Sequence, residues 1–231
     1  MGQYIYIELN IFAATVTVVL LFVLGKKKES FPAGELFAAV LSAVLAILVC
    51  DIVYWLVDGK TFFGARKINC AVNFLYFLLQ NIACSLFGLF CFKATGRKIT
   101  AGFSAMYFIL AAFSVALSVA SLVSNGLLYT VTPDNVYMWG TGIWYPLYLA
   151  CAMGFLAFGT GVYVVEAVTA RKRGDAAARR DARYMIVVTI IPFIGTAIQI
   201  TFFKLTTIWI CGVLTLLLIY SKIQAQLACR M

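Results

Sequence analysis

The sequence predicts an all-α membrane protein: a bundle of seven transmembrane helices, with the N-terminus outside and the C-terminus cytoplasmic. Three observations predict it. The 231 residues are 64% hydrophobic and only 12% charged, against roughly a quarter charged in soluble domains. The apolar residues fall in seven runs, each near the length of about 20 residues needed to cross hydrocarbon. Lys and Arg are unevenly shared between the connectors, 14 after the odd-numbered runs and 4 on the other side, and the richer side is the cytoplasmic one.

The first run, residues 4–24, follows no basic segment and precedes no small-residue cleavage site, so it reads as a retained helix. The second, 35–57, ends in CDIVYWLVDGK, which sets Asp51, Trp55 and Asp58 on one helical face. Along the third, 68–92, Asn69, Asn73, Tyr76 and Gln80 form a single polar stripe that must face the bundle interior or a cavity. The fourth run, 102–123, adds nothing to these polar positions. Before the fifth, 143–166, lies the aromatic stretch NVYMWGTGIWYPLY, whose Trp139 and Trp144 suit the outer interface. The basic connector ARKRGDAAARRDAR reads as an anchor to anionic headgroups in preference to a docking surface. Within the sixth run, 185–203, Pro192 frees a backbone carbonyl and permits a hinge. A tight connection around Lys204 leads to the seventh, 206–222, and no soluble domain is expected.

The intramembrane polar residues lie mostly in the outer half. Amide side chains there read equally well as interhelical glue, worth about 0.6 kcal/mol a pair. Asp51 reads differently, because an ionised carboxylate at membrane depth costs about 2.5–3.5 kcal/mol. Asp58, followed by Gly59, reads as a solvated helix end. The expected site is an outward-facing pocket between helices 1, 2, 3, 5, 6 and 7. Its ligand-binding residues are expected to be Glu8, Asp51, Trp55, Asn69, Asn73, Tyr76, Trp144, Tyr145 and Gln199. The acidic groups favour a small extracellular ligand carrying an amine or other cation, with cation–π contact from Trp55, Trp144 or Tyr145. If Arg66 or Lys67 folds down onto Asp51, the ligand need not be cationic.

Other functions find no support in the sequence. Histidine is absent, which removes the commonest metal ligand and general base. The seven cysteines are scattered without ligand spacing and read as small core residues. No catalytic triad, HExxH, G-x-S-x-G or phosphate loop occurs, so neither enzymatic activity nor a cofactor or metal is expected. The seventh run carries no lysine before Lys222, which excludes a retinal Schiff base. The net charge of +9 sits in short connectors and not on a soluble face, so no nucleic-acid partner is expected. No internal repeat relates the first and last thirds, and no Pro-Gln pair occurs. A small seven-helix solute exporter, acting as a homodimer, is the alternative function.

Five segments taken together, YIYIELNIF, CDIVYWLVDGK, AVNFLYFLLQ, IIPFIGTAIQ and WICGVLTLLLIYSKIQAQ, resemble the seven-helix sensory module of bacterial GGDEF-type diguanylate cyclases. The resemblance covers nearly the whole chain in order and spacing. It implies a receptor in the bacterial cytoplasmic membrane that binds a signal outside and passes a helix movement through helix 7 to a cytoplasmic effector such as a cyclase. KIQAQLACRM fits the start of the signalling helix of such proteins. No GGDEF signature occurs, so cyclase activity is assigned to none of these residues.

Overall fold

The computed structural model describes residues 2–25, 31–98, 100–124, 126–140, 142–201 and 207–228. The connection at Lys204 and the basic run of Lys26, Lys27 and Lys28 fall outside them. Among the described residues, seven helices are long and apolar enough to cross a membrane: α1 (Gly2–Gly25), α2 (Gly34–Val57), α3 (Ala65–Ala94), α4 (Ala101–Val123), α5 (Trp144–Lys172), α6 (Ala176–Thr201) and α7 (Ile208–Ala228). Helices are the form such apolar runs must take in lipid, since each satisfies its backbone polar groups within itself.

Six of the helices close a ring in the order α1, α2, α3, α5, α6, α7, with α7 returning to α1. The fourth helix lies outside this ring, against α3 and α5. Its exposed side and that of α1 carry large apolar residues such as Phe12, Phe22, Phe108 and Ile109, as lipid contact requires. Phe37, Leu41, Ile47, Leu48, Phe90 and Ile219 are fully buried and form the centre of the core. At two places the helices approach so closely that only glycine fits. A Cβ on Gly88 would lie 3.0 Å from the Phe155 carbonyl oxygen and 2.6 Å from the Tyr107 hydroxyl. One on Gly195 would lie 2.9 Å from the Cys211 side chain and 3.1 Å from the Ile208 Cα.

Two parts of the connectors differ from the sequence reading. The basic stretch 170–183 is not a loop but two helix ends joined by a three-residue turn. Gly174, at φ 72°, takes the left-handed conformation that ends α5, while the Asp175 carboxylate accepts the Ala178 N–H at 2.9 Å and caps α6. The second difference is a β-hairpin between α4 and α5, where only an interfacial aromatic stretch was expected. Strands β1 (Tyr129–Val131) and β2 (Tyr137–Trp139) pair antiparallel, Tyr129 opposite Trp139. Their turn is fixed by the Thr132 hydroxyl, which accepts the Val136 N–H at 3.0 Å, and by Asn135 in the left-handed region at φ 60°.

At the bundle end opposite the hairpin, two carboxylates are held in ion pairs. Glu166 accepts Arg173 at 2.8 Å and Arg97 at 3.5 Å. Asp181 of α6 holds Lys222 and Gln226 of α7, each at 2.6 Å.

Candidate functional site

Next to the hairpin the helices part around a cavity of about 310 Å³, within the size range of small-molecule sites. The last two turns of α2 contribute Asp51, Tyr54 and Trp55 to its wall, with Asp58 just beyond the helix end. The polar stripe of α3 supplies Asn73, Tyr76 and Gln80, and Phe77 stands beside it. The first turns of α5 add Tyr145, Tyr148 and Leu149, α6 adds Thr196 and Gln199, and α7 adds Ile208. One side is covered by the hairpin itself, through Val136, Tyr137, Met138 and Trp139.

A polar clasp holds the hairpin in this position. Asp58 Oδ1 accepts the Tyr137 N–H at 2.8 Å and the Asn69 amide at 3.0 Å. Asn135, at the hairpin turn, donates to the Val57 and Lys60 carbonyls at 2.8 and 2.9 Å, and its own side-chain oxygen accepts Asn69 at 3.0 Å. Asn73 continues the chain of amides, donating to Asn69 Oδ1 at 2.7 Å. Asp58 is therefore the knot that ties α2, α3 and the hairpin together, and not a solvated helix end. Burial, with the Cys70 thiol close by, pushes the Tyr129 phenol of β1 up to about 12, and burial raises Tyr137 of β2 well above its ordinary value. Both stay neutral at any physiological pH.

The inner boundary of the cavity is a second polar layer. The Trp209 indole N–H donates to the Tyr76 hydroxyl at 3.0 Å, and Gln199 stands with Tyr76 in the cavity wall. Gln199 Oε1 also accepts the Ile208 N–H, which opens α7, at 3.4 Å. Tyr76 of α3 is thus joined to α7, and α7 in turn to Gln199 of α6. Asp51, only 3% exposed, stands deep in the wall and accepts the Asn10 amide at 2.6 Å.

Of the residues expected from sequence, Asp51, Trp55, Asn73, Tyr76, Tyr145 and Gln199 line this cavity. Three others lie elsewhere. Glu8 is on the exposed side of α1, and Asn10, two residues on, is the α1 residue that reaches Asp51. Helix 1 therefore supports the wall without forming it. Asn69 is fully buried but belongs to the clasp. Trp144 is 42% exposed and turned away, while Trp139 lines the cavity with its ring 5.2 Å from Tyr145. Arg66 donates to the Val131 carbonyl of the hairpin at 3.2 Å, and neither it nor Lys67 lines the cavity.

Pro192 lies deeper, beside a void of about 30 Å³ that it shares with Trp209, Gly212 and Thr215. A proline at 192 has no N–H to give the carbonyl four residues back. That carbonyl, of Val188, accepts the Thr215 hydroxyl of α7 at 3.2 Å.

The sequence reading missed the hairpin residues and Tyr148, whose hydroxyl donates to the Phe77 carbonyl. A signal for the hairpin was present: YTV and VYMW flank the turn residues TPDN, the alternation of β-branched and aromatic residues about a turn that marks paired strands. Among the described residues no three side chains cluster as metal ligands. Comparison with family models, with curated proteins and with solved structures returned no match.

Proposed function

We propose that this chain is a bacterial membrane receptor that takes a small cationic molecule from the outer side into the cavity beside the hairpin. The observation that carries the reading is the confinement of the cavity to one end of the bundle. The Tyr76, Gln199 and Trp209 layer closes it inwardly, and the packed apolar core lies beyond. Lys and Arg counts in the connectors put the hairpin end outside. Two carboxylates, eight aromatic side chains and no described Lys or Arg line it, which favours a cation through charge and ring faces together.

In this reading the ligand bridges α2, α3 and α6 and shifts a pre-existing two-state equilibrium. The readout is α7, whose first N–H and Trp209 both bond to the cavity floor. A cytoplasmic effector such as a diguanylate cyclase would take up the movement. The test is reconstitution of the chain in liposomes with a panel of organic cations added outside. A receptor binds without passing solute, so saturable binding with no ligand-dependent flux is expected. Flux of the bound cation into the lumen would overturn the receptor and establish the seven-helix carrier instead.

A further inference from the structure

Aromatic rings dominate the cavity wall, and their mutual angles bear on what a bound cation carries at its nitrogen. Tyr54 of α2 meets Tyr137 of the hairpin at 74°. Phe77 of α3 meets Tyr145 at 81° and Tyr148 at 72°, both on α5. Trp139 of the hairpin lies 5.2 Å from Tyr145. All of these side chains line the one cavity of about 310 Å³. Rings set so steeply to one another make the corners of a box, and together they offer π-faces from several directions to one central charge.

Several acceptors in the same wall are already engaged by the protein. Asp58 Oδ1 takes the Tyr137 N–H and the Asn69 amide. Gln199 Oε1 takes the Ile208 N–H, the Tyr76 hydroxyl takes the Trp209 indole N–H, and Asp51 Oδ2 takes the Asn10 amide. A primary ammonium brings three N–H donors, and leaving buried donors without partners is costly. It would have to share acceptors that the clasp and the cavity floor use. A nitrogen bearing methyl groups in place of N–H makes no such demand, and ring faces are what binds it.

We infer that the ligand is a quaternary ammonium compound, with its trimethylammonium group inside the aromatic box formed by α2, α3, α5 and the hairpin. This rests on the reading of the cavity as a small-cation site and adds the chemical class of the cation.

The test is isothermal titration of the full chain in phosphatidylglycerol nanodiscs, with empty nanodiscs as the control. The probes are choline, ethanolamine, which carries the same charge on a nitrogen with N–H donors, and 3,3-dimethyl-1-butanol, the neutral carbon analogue of choline. Choline is expected to bind about tenfold more tightly than either of the others. Tyr145→Leu, which removes a ring of the box but keeps apolar bulk, should lose most of the preference for choline over ethanolamine. Tyr145→Phe, which keeps the ring, should retain it. Ethanolamine binding as tightly as choline would overturn the quaternary ammonium and leave a cation site standing. The neutral alcohol binding as tightly as choline would overturn this inference together with the cationic reading beneath it. An unchanged preference in Tyr145→Leu would overturn the aromatic box. Failure of all three probes to bind would overturn the inference, while binding of another organic cation would preserve the reading beneath it. The same choline affinity is expected in phosphatidylcholine nanodiscs; its loss there would assign the trimethylammonium site to a lipid headgroup and overturn a soluble ligand.

Discussion

The bond between Thr215 and the Val188 carbonyl gives a prediction whose size depends on a neighbouring residue. Both side chains are buried, at 1% and 3% exposure, away from bulk solvent. Thr215→Val keeps the shape and removes the donor at 3.2 Å. A buried acceptor deprived of its partner costs about 1–3 kcal/mol in soluble proteins, whereas measured interhelical bonds in membranes average about 0.6 and reach about 1.7 kcal/mol. A loss of about 1 kcal/mol, where the two ranges meet, is expected. The Val188 carbonyl needs Thr215 because Pro192 cannot supply the usual helical N–H, and Pro192→Ala restores that N–H. In the Pro192→Ala background the same Thr215→Val change should cost close to nothing. The double-mutant cycle, read by equilibrium unfolding in mixed micelles, should therefore show a coupling of about 1 kcal/mol. An equal cost in the two backgrounds would refute the assignment of Thr215 as the partner of the proline-freed carbonyl.

Three further outcomes are expected. Gly195→Ala places a methyl 2.9 Å from Cys211 and should cost about 1–3 kcal/mol by overpacking, seen as a lower melting temperature; unchanged stability would mean α6 and α7 are not in this close contact. Asp58→Ala removes the acceptor for Asn69 and for the Tyr137 N–H. Hydrogen exchange across 129–139 should then rise about tenfold for each 1.4 kcal/mol lost, and unaltered protection would rule out the clasp. Tyr129 has a folded pKa of about 12 against an ordinary 10.0, so folding favours its neutral form. Its contribution is full below pH 10 and is lost as pH rises through 12. An ultraviolet titration should show a late-ionising phenol that disappears in Tyr129→Phe.

The helical fold was legible because seven apolar runs in lipid admit little else, and the α3 stripe was legible because an amide or phenol every turn cannot face hydrocarbon. Asp51 was found by the same cost argument. Depth along a helix, however, does not give direction around it for an isolated polar residue. Glu8 and Asn10 stand at nearly the same depth, and only packing decides that Asn10 faces Asp51 while Glu8 faces out. The misassignment of Asp58 has another source. A helix-terminal carboxylate reads as solvated unless its partners are known, and these come from Asn69, 11 residues on, and from Tyr137, 79 residues on. The basic stretch 170–183 reads as a loop because it lies between two apolar runs, although the Gly-Asp pair that stops one helix and caps the next is visible in ARKRGDAAARRDAR.

In the proposed receptor, the contacts between α6 and α7 constrain how a signal from the cavity can travel. They recur along the whole length of the pair: Gln199 to the Ile208 N–H, Gly195 against Cys211, the Val188 carbonyl to Thr215, and Asp181 to Lys222 and Gln226. A bend of α6 at Pro192 alone would have to break the Thr215 bond, which sits at the level of the missing helical one. Movement of the two helices together breaks none of these bonds. The softer boundary is the cavity floor, where Tyr76 of α3 is tied to the pair through Trp209. Under the proposed function, a ligand that draws Tyr76 toward or away from this layer would act on α6 and α7 as one unit. Pro192 then makes α6 depend on α7 for the hydrogen bond at the Val188 carbonyl, so any bend there is coupled to α7.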